Sequence, residues 1–123
     1  LTTSRELDKD QEKKMAKVIK EPIDRERIRR ISGGFGWVDH RLVRNGYVDA
    51  CSHLALATYL FLITVSDADG VSYWGERQLC ERINCGMVEL RTARAELEAA
   101  ALVAYDKPIW QVLQLPKQRE ARP

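Results

Sequence analysis

The chain has 123 residues, 45% of them hydrophobic, and a formal net charge of +2, enough for one domain with a modest core. Three cysteines (Cys51, Cys80 and Cys85) exclude a dense disulfide framework and fit a reducing cytoplasm. The longest apolar run, residues 54–65, excludes a bilayer-spanning helix, which needs ~20 apolar residues. Charge is distributed unevenly. Residues 1–32 hold ten Lys/Arg against seven Asp/Glu, residues 33–115 seven against ten, and residues 116–123 three against one. The chain therefore reads as a charged N-terminal arm (1–32), a mildly acidic domain (33–115) and a basic C-terminal tail (116–123).

The arm is poor in large apolar groups. A solvated helix is expected over residues 4–20, with Ser4 as N-cap and Pro22 ending it. Gly33, Gly34 and Gly36 mark the boundary, and residues 35–38 (FGWV) read as a short strand. Asp39 caps a brief helix closed by Asn45-Gly46, and Ser52 caps the apolar helix running to about Ser66. Asp67-Ala68-Asp69-Gly70 is a turn into a very short strand, residues 71–73.

The next stretch is the most informative. A helix from about Gly75 to Ile83 presents Leu79, Cys80 and Ile83 on one face. Asn84 then tolerates the left-handed conformation that a sharp turn requires. A further helix, roughly residues 86–101, directs Leu90, Ala93 and Leu97 inward, and the small residues Ala99, Ala100 and Ala101 let the next strand approach. That strand starts at Leu102; Asp106-Lys107-Pro108 forms a hairpin tip, Trp110, Val112, Leu113 and Leu115 return from it, and Pro116 stops it. Two helices joined by a turn and followed by a hairpin are the outline of a helix-turn-helix with a wing. The expected class is mainly α with a small β-hairpin wing, an α+β fold.

This order of elements resembles the bacterial winged-helix modules of plasmid replication initiators and DnaD-type primosomal proteins, and small helix-turn-helix proteins of mobile elements. The resemblance covers residues 31–115 and is closest in LATYLFLITVSDADGVSYWGERQLCERI and RAELEAAALVAY. It implies a cytoplasmic, non-enzymatic bacterial protein that binds double-stranded DNA in replication or transcription control. It also makes the helix over residues 86–101 the recognition helix, with Met87, Val88, Arg91, Thr92 and Ala95 facing outward. Arg91 and Thr92 are the base-contact candidates, since arginine can bind guanine O6 and N7 together. Arg94 and the hairpin's Lys107 are further cations. The sequence departs from the pattern in being acid-rich here, with Glu89, Glu96 and Glu98 on the same helix.

The densest basic patch, RERIRR, contains Arg25, Arg27, Arg29 and Arg30, and reads either as a groove-reaching arm or as a solvated charge run; Arg41 and Arg44 extend it. Cys80 and Cys85, four residues apart, lack paired zinc-site spacing and read as core. Asp39-His40 with Ser32 lacks a nucleophile motif, and Gly33-Gly34-Phe35-Gly36 lacks the Lys of a phosphate loop. No catalytic residue, metal or cofactor is assigned. Trp37, Trp74 and Trp110 read as core anchors or as a patch for stacking or docking, Trp74 being the expected exposed one. Two other readings stay open: a protein-interaction adaptor or homodimer that uses the acidic module and the Met87-Val88 tip, and a subunit that binds single-stranded nucleic acid.

Overall fold

The arm's only regular structure among the described residues is a single 3-10 turn at Arg25–Arg27, nucleated by the Asp24 carboxylate. It accepts hydrogen bonds from the Glu26 and Arg27 N–H groups at 3.0 and 3.2 Å. The computed structural model describes residues 18–116, and the chain divides into two units, residues 1–32 and 33–123. Side chains 18–32 are all exposed. The expected helix over residues 4–20 falls mostly outside the described residues, and Val18, Ile19 and Lys20 are not helical. Of the expected basic tail, only Pro116 is described.

The second unit begins without the expected strand. Residues 35–38 pair with no other strand, and Phe35, Trp37 and Val38 are exposed. Gly36 lies so close to Ile63 that a Cβ there would come within 2.9 Å of its Cγ2 and carbonyl oxygen. Helix α1 (Arg41–Arg44) follows, its first N–H bound to the Asp39 carboxylate at 2.9 Å, and Gly46 supplies the left-handed residue beyond it. Helix α2 (His53–Val65) starts as expected at Ser52, whose hydroxyl accepts from the Ala55 N–H at 3.1 Å. It buries Ala55, Thr58, Tyr59, Leu62 and Ile63, and the Thr58 hydroxyl is satisfied by the Leu54 carbonyl at 2.8 Å.

The Asp67 carboxylate closes the next turn by accepting from the Asp69 and Val71 N–H groups at 2.9 and 3.0 Å. Gly70 completes it at φ +82°, where a Cβ would sit 2.5 Å from the Val112 carbonyl oxygen. Strand β1 (Val71–Tyr73) leads to helix α3 (Glu76–Ile83) and helix α4 (Met87–Ala99). Asn84 between them is left-handed (φ 56°, ψ 58°), and the Cys85 N–H returns to the Cys80 carbonyl at 3.0 Å. This is the Schellman closure, which stops one helix and re-aims the next. Glu89 of α4 reaches back to the Gly86 N–H at 3.0 Å, so its carboxylate caps its own helix.

At the end of α4, Ala100 packs against the core. Ala99 and Ala101 are exposed, and the buried small residue of the helix is Ala93. Ala101 takes φ 58°, and the Leu102 N–H bonds the Leu97 carbonyl at 3.0 Å. An alanine in this conformation costs roughly 1–2 kcal/mol; burying Leu97 and Leu102 completely on either side of it offsets that.

Strands β2 (Val103–Asp106) and β3 (Ile109–Val112) form the expected hairpin. The sheet, however, has three strands in the order β1-β3-β2, with Ser72 and Tyr105 flanking Trp110. Trp110 is fully buried, and the core formed with it includes Leu62, Leu79, Leu90, Leu97 and Leu102. The fold is thus mainly α with a small antiparallel sheet, an α+β architecture of winged-helix-like form. No helix among the described residues is long and apolar enough to cross a membrane.

Candidate nucleic-acid interface

Burying Leu90, Ala93 and Leu97 fixes the roll of α4 and turns Val88, Arg91, Thr92 and Ala95 toward solvent. Arg91 keeps 55% of its side chain exposed, yet its Nε donates to Glu76 Oε2 at 3.0 Å. Glu76, the first residue of α3, is only 12% exposed and also accepts from Arg94 Nη1 at 3.3 Å. Arg94 is held a second way, its guanidinium 4.2 Å from the centre of the Tyr105 ring, and a third by Glu98 at 3.4 Å. The four charges cancel. Arg94 therefore departs from the expected interface role, because it ties α3, α4 and β2 together and is only 18% exposed. Arg91 has one guanidinium edge committed to Glu76, which orients the fork while lowering its net field. Thr92 is exposed, and its hydroxyl donates to the Val88 carbonyl at 3.0 Å.

The Arg91 bond depresses the Glu76 acid pKa below the ordinary carboxylate range, with Arg94 adding to the effect against partial burial. A depressed folded-state pKa contributes stability above the unfolded value of about 4.3, and that stability is lost as pH falls through the folded value. Glu76→Gln is accordingly expected to destabilise the fold at neutral pH by on the order of 1–2 kcal/mol. The difference from wild type should shrink as pH falls below about 4; thermal melts across pH 3–7 check this, and a constant difference contradicts the assigned ion pair.

The remaining cations differ in availability. Lys107 is exposed at the hairpin tip. Arg41 is clamped by Asp39, with Nη2 at 2.7 Å and Nε at 3.2 Å, so it does not extend a free basic patch as expected. Arg44 is exposed, with no carboxylate of the described residues in ion-pair range. In the arm, Arg25 pairs with Glu21 at 3.0 Å, and Arg27, Arg29 and Arg30 are exposed. Sequence reasoning missed Arg77 and Arg82, both exposed on α3; the signal was there, because neither lies on the Leu79/Cys80/Ile83 face. It also missed Glu76 as organiser, and no local pattern announces a partner 15 or 18 positions away.

The three tryptophans also part from expectation. Trp37 is 84% exposed and anchors nothing, whereas Trp74 is half-buried, edge-on to Phe61 with centroids 4.9 Å apart. Trp110 is the anchor, its indole N–H donating to the Trp74 carbonyl at 3.1 Å. The Asp39 carboxylate accepts from the Arg41 guanidinium. Cys80 is buried on the apolar face of α3, as expected.

The element order, the left-handed turn between α3 and α4 and the hairpin beside them define a winged-helix-like class. In keeping with this, a chain of a solved structure described as a Rep–DNA complex shares the fold, with a TM-score of 0.50 at 17% identity over 68% of this chain and 76% of that one. No protein-family model and no curated protein matches the sequence.

Proposed function

We propose that the protein binds double-stranded DNA through its winged-helix-like unit and acts in replication or transcription control of a bacterial mobile element. The observation that carries this reading is the outward face of α4. Arg91 projects there half-exposed with its guanidinium held on one edge, and Thr92 lies beside it. A carboxylate on Nε leaves the two Nη groups to meet guanine O6 and N7, and removes part of the entropy otherwise lost on contact. The fold shared with a chain of a Rep–DNA complex supports the replication setting. Lys107 on the hairpin and Arg77 on α3 supply backbone contacts, and Arg25, Arg27, Arg29 and Arg30 add affinity independent of sequence.

Glu76 neutralises much of this face of α4. Base contacts therefore rest on Arg91, and bulk attraction rests on the arm. Arg91→Ala is expected to weaken binding to a selected site by about ten- to a hundred-fold while changing random-duplex affinity little. Sites selected from a randomised duplex pool and then titrated by gel shift check this; an equal loss on both DNAs removes Arg91 as a base reader.

A second reading has its own observation. Phe35, Trp37, Val43 and Leu60 are all large, apolar and exposed, which favours a protein-docking or self-association role. Failure to shift random duplex at micromolar protein and low salt supports this adaptor reading over the first.

A further inference from the structure

A groove of about 910 Å³ opens on the second unit, and none of its lining residues belongs to α4. Tyr59 and Ile63 of α2 and Leu115, all buried, form its base. Phe35 and Trp37 line it as exposed aromatic rings, and Gly36 between them pins their segment, because only a residue without a Cβ fits so close to Ile63. The charge of the groove is one-sided. Asp39, Asp67 and Asp69 line it, and among the described residues no lysine, arginine or histidine does. Arg41 neutralises Asp39. Asp67 Oδ1 accepts only from backbone N–H groups, and the Asp69 carboxylate has no hydrogen-bond or ion-pair partner among the described residues, so two negative charges stand uncompensated. Tyr59 adds a polar group. The Ser72 hydroxyl is the one fully enclosed side-chain group without a partner among the described residues, so the Tyr59 hydroxyl, also without one, keeps contact with the groove it lines.

We propose that this groove docks an extended segment of a protein partner that carries an arginine or lysine between apolar side chains. The apolar side chains cover the Phe35 and Trp37 rings, which water otherwise wets. The cation meets Asp67 and Asp69, and an arginine also stacks on Trp37. A backbone carbonyl of the segment accepts from the Tyr59 hydroxyl. Charge complementarity selects this occupant over others. Nucleic acid is repelled, because its phosphates meet carboxylates. The globular unit of a second copy fits poorly, because residues 33–115 carry three more acids than bases. A small ligand takes a pocket that buries most of its surface, whereas this groove leaves both aromatic rings in solvent. The proposal rests on the protein-docking reading and is independent of DNA binding, since α4 stays uncovered.

The test is selection of a displayed random-peptide library on the full chain, followed by fluorescence anisotropy of the enriched peptides. The expected result is a consensus with an arginine or lysine flanked by bulky apolar residues. Trp37→Ala is expected to lower the affinity of those peptides by at least about tenfold, and Asp69→Asn by about three- to fivefold, both with unchanged circular dichroism because neither side chain is buried. Glu81→Gln, the same loss of charge at an exposed position outside the groove, is expected to bind as wild type. A consensus without cations that Trp37→Ala still abolishes overturns the basic partner and leaves protein docking standing. No enrichment at all overturns both. Wild-type affinity in Asp69→Asn, or an equal loss in Glu81→Gln, overturns the proposal, as does self-association of the chain that Trp37→Ala abolishes and the peptides do not displace.

Discussion

Trp110→Ala is expected to cost about 3–5 kcal/mol of stability, the usual range for deleting a fully buried large aromatic. Trp110 has no exposed surface, lies tilted on Tyr105 with centroids 4.4 Å apart and donates its indole N–H to the Trp74 carbonyl. Truncation therefore leaves a cavity and an unpaired carbonyl at once. It also strikes the central strand, where Ser72 on β1 and Tyr105 on β2 both pair with Trp110. A domain of this size has about 5–15 kcal/mol in total, so the variant should lose a large fraction of its stability. Trp37→Ala is the matched control, expected to stay within about 0.5 kcal/mol of wild type because its ring is in solvent. Urea unfolding followed by circular dichroism checks the pair; similar midpoints for both variants contradict the assignment of Trp110 as the anchor.

Replacing Arg25, Arg27, Arg29 and Arg30 together with alanine is expected to weaken binding to any duplex by on the order of a hundredfold at low salt. The slope of log affinity against log salt should flatten by about 0.9 for each arginine that neutralises a phosphate. The globular part of the sequence, residues 33–115, carries three more acids than bases, and Glu76 neutralises much of the outward face of α4 proposed to meet DNA. Long-range attraction to a polyanion therefore depends on the arm. Arg25 should contribute least, since its guanidinium is already paired with Glu21; an exposed pair of this kind is worth only ~0–1 kcal/mol and is easily exchanged. Gel shifts at two salt concentrations on random duplex separate this from the Arg91 effect, which is confined to selected sites. An unchanged salt slope removes the arm from the interface.

Local sequence carried most of the elements. Ser52, Asp67, Gly70 and Asn84 each act through their own backbone or a few neighbours, and each forms the cap or turn that its chemistry implies. Periodicity placed Leu90, Ala93 and Leu97 in the core for the same reason, since helical spacing is a local property. FGWV misled because aromatic and β-branched residues favour a strand only where a partner edge is available, and β1 instead pairs with β3. The outward face of α4 was legible as a helix face but not as a charge state. Arg91, Arg94 and Glu76 look like separate surface charges in the chain, and only folding brings two helices and the wing to one carboxylate.

The amino-acid order by itself determined where helices start and stop, which residues turn inward and that the chain ends its fold in a hairpin. Those outcomes depend on hydrogen bonds and apolar spacing within a few residues. The tertiary structure alone decided that β1 completes the sheet, that Trp110 and not Trp37 is the core aromatic, and that Glu76 restrains Arg91. Each of these depends on which distant surfaces exclude water together, and that follows from packing the whole unit.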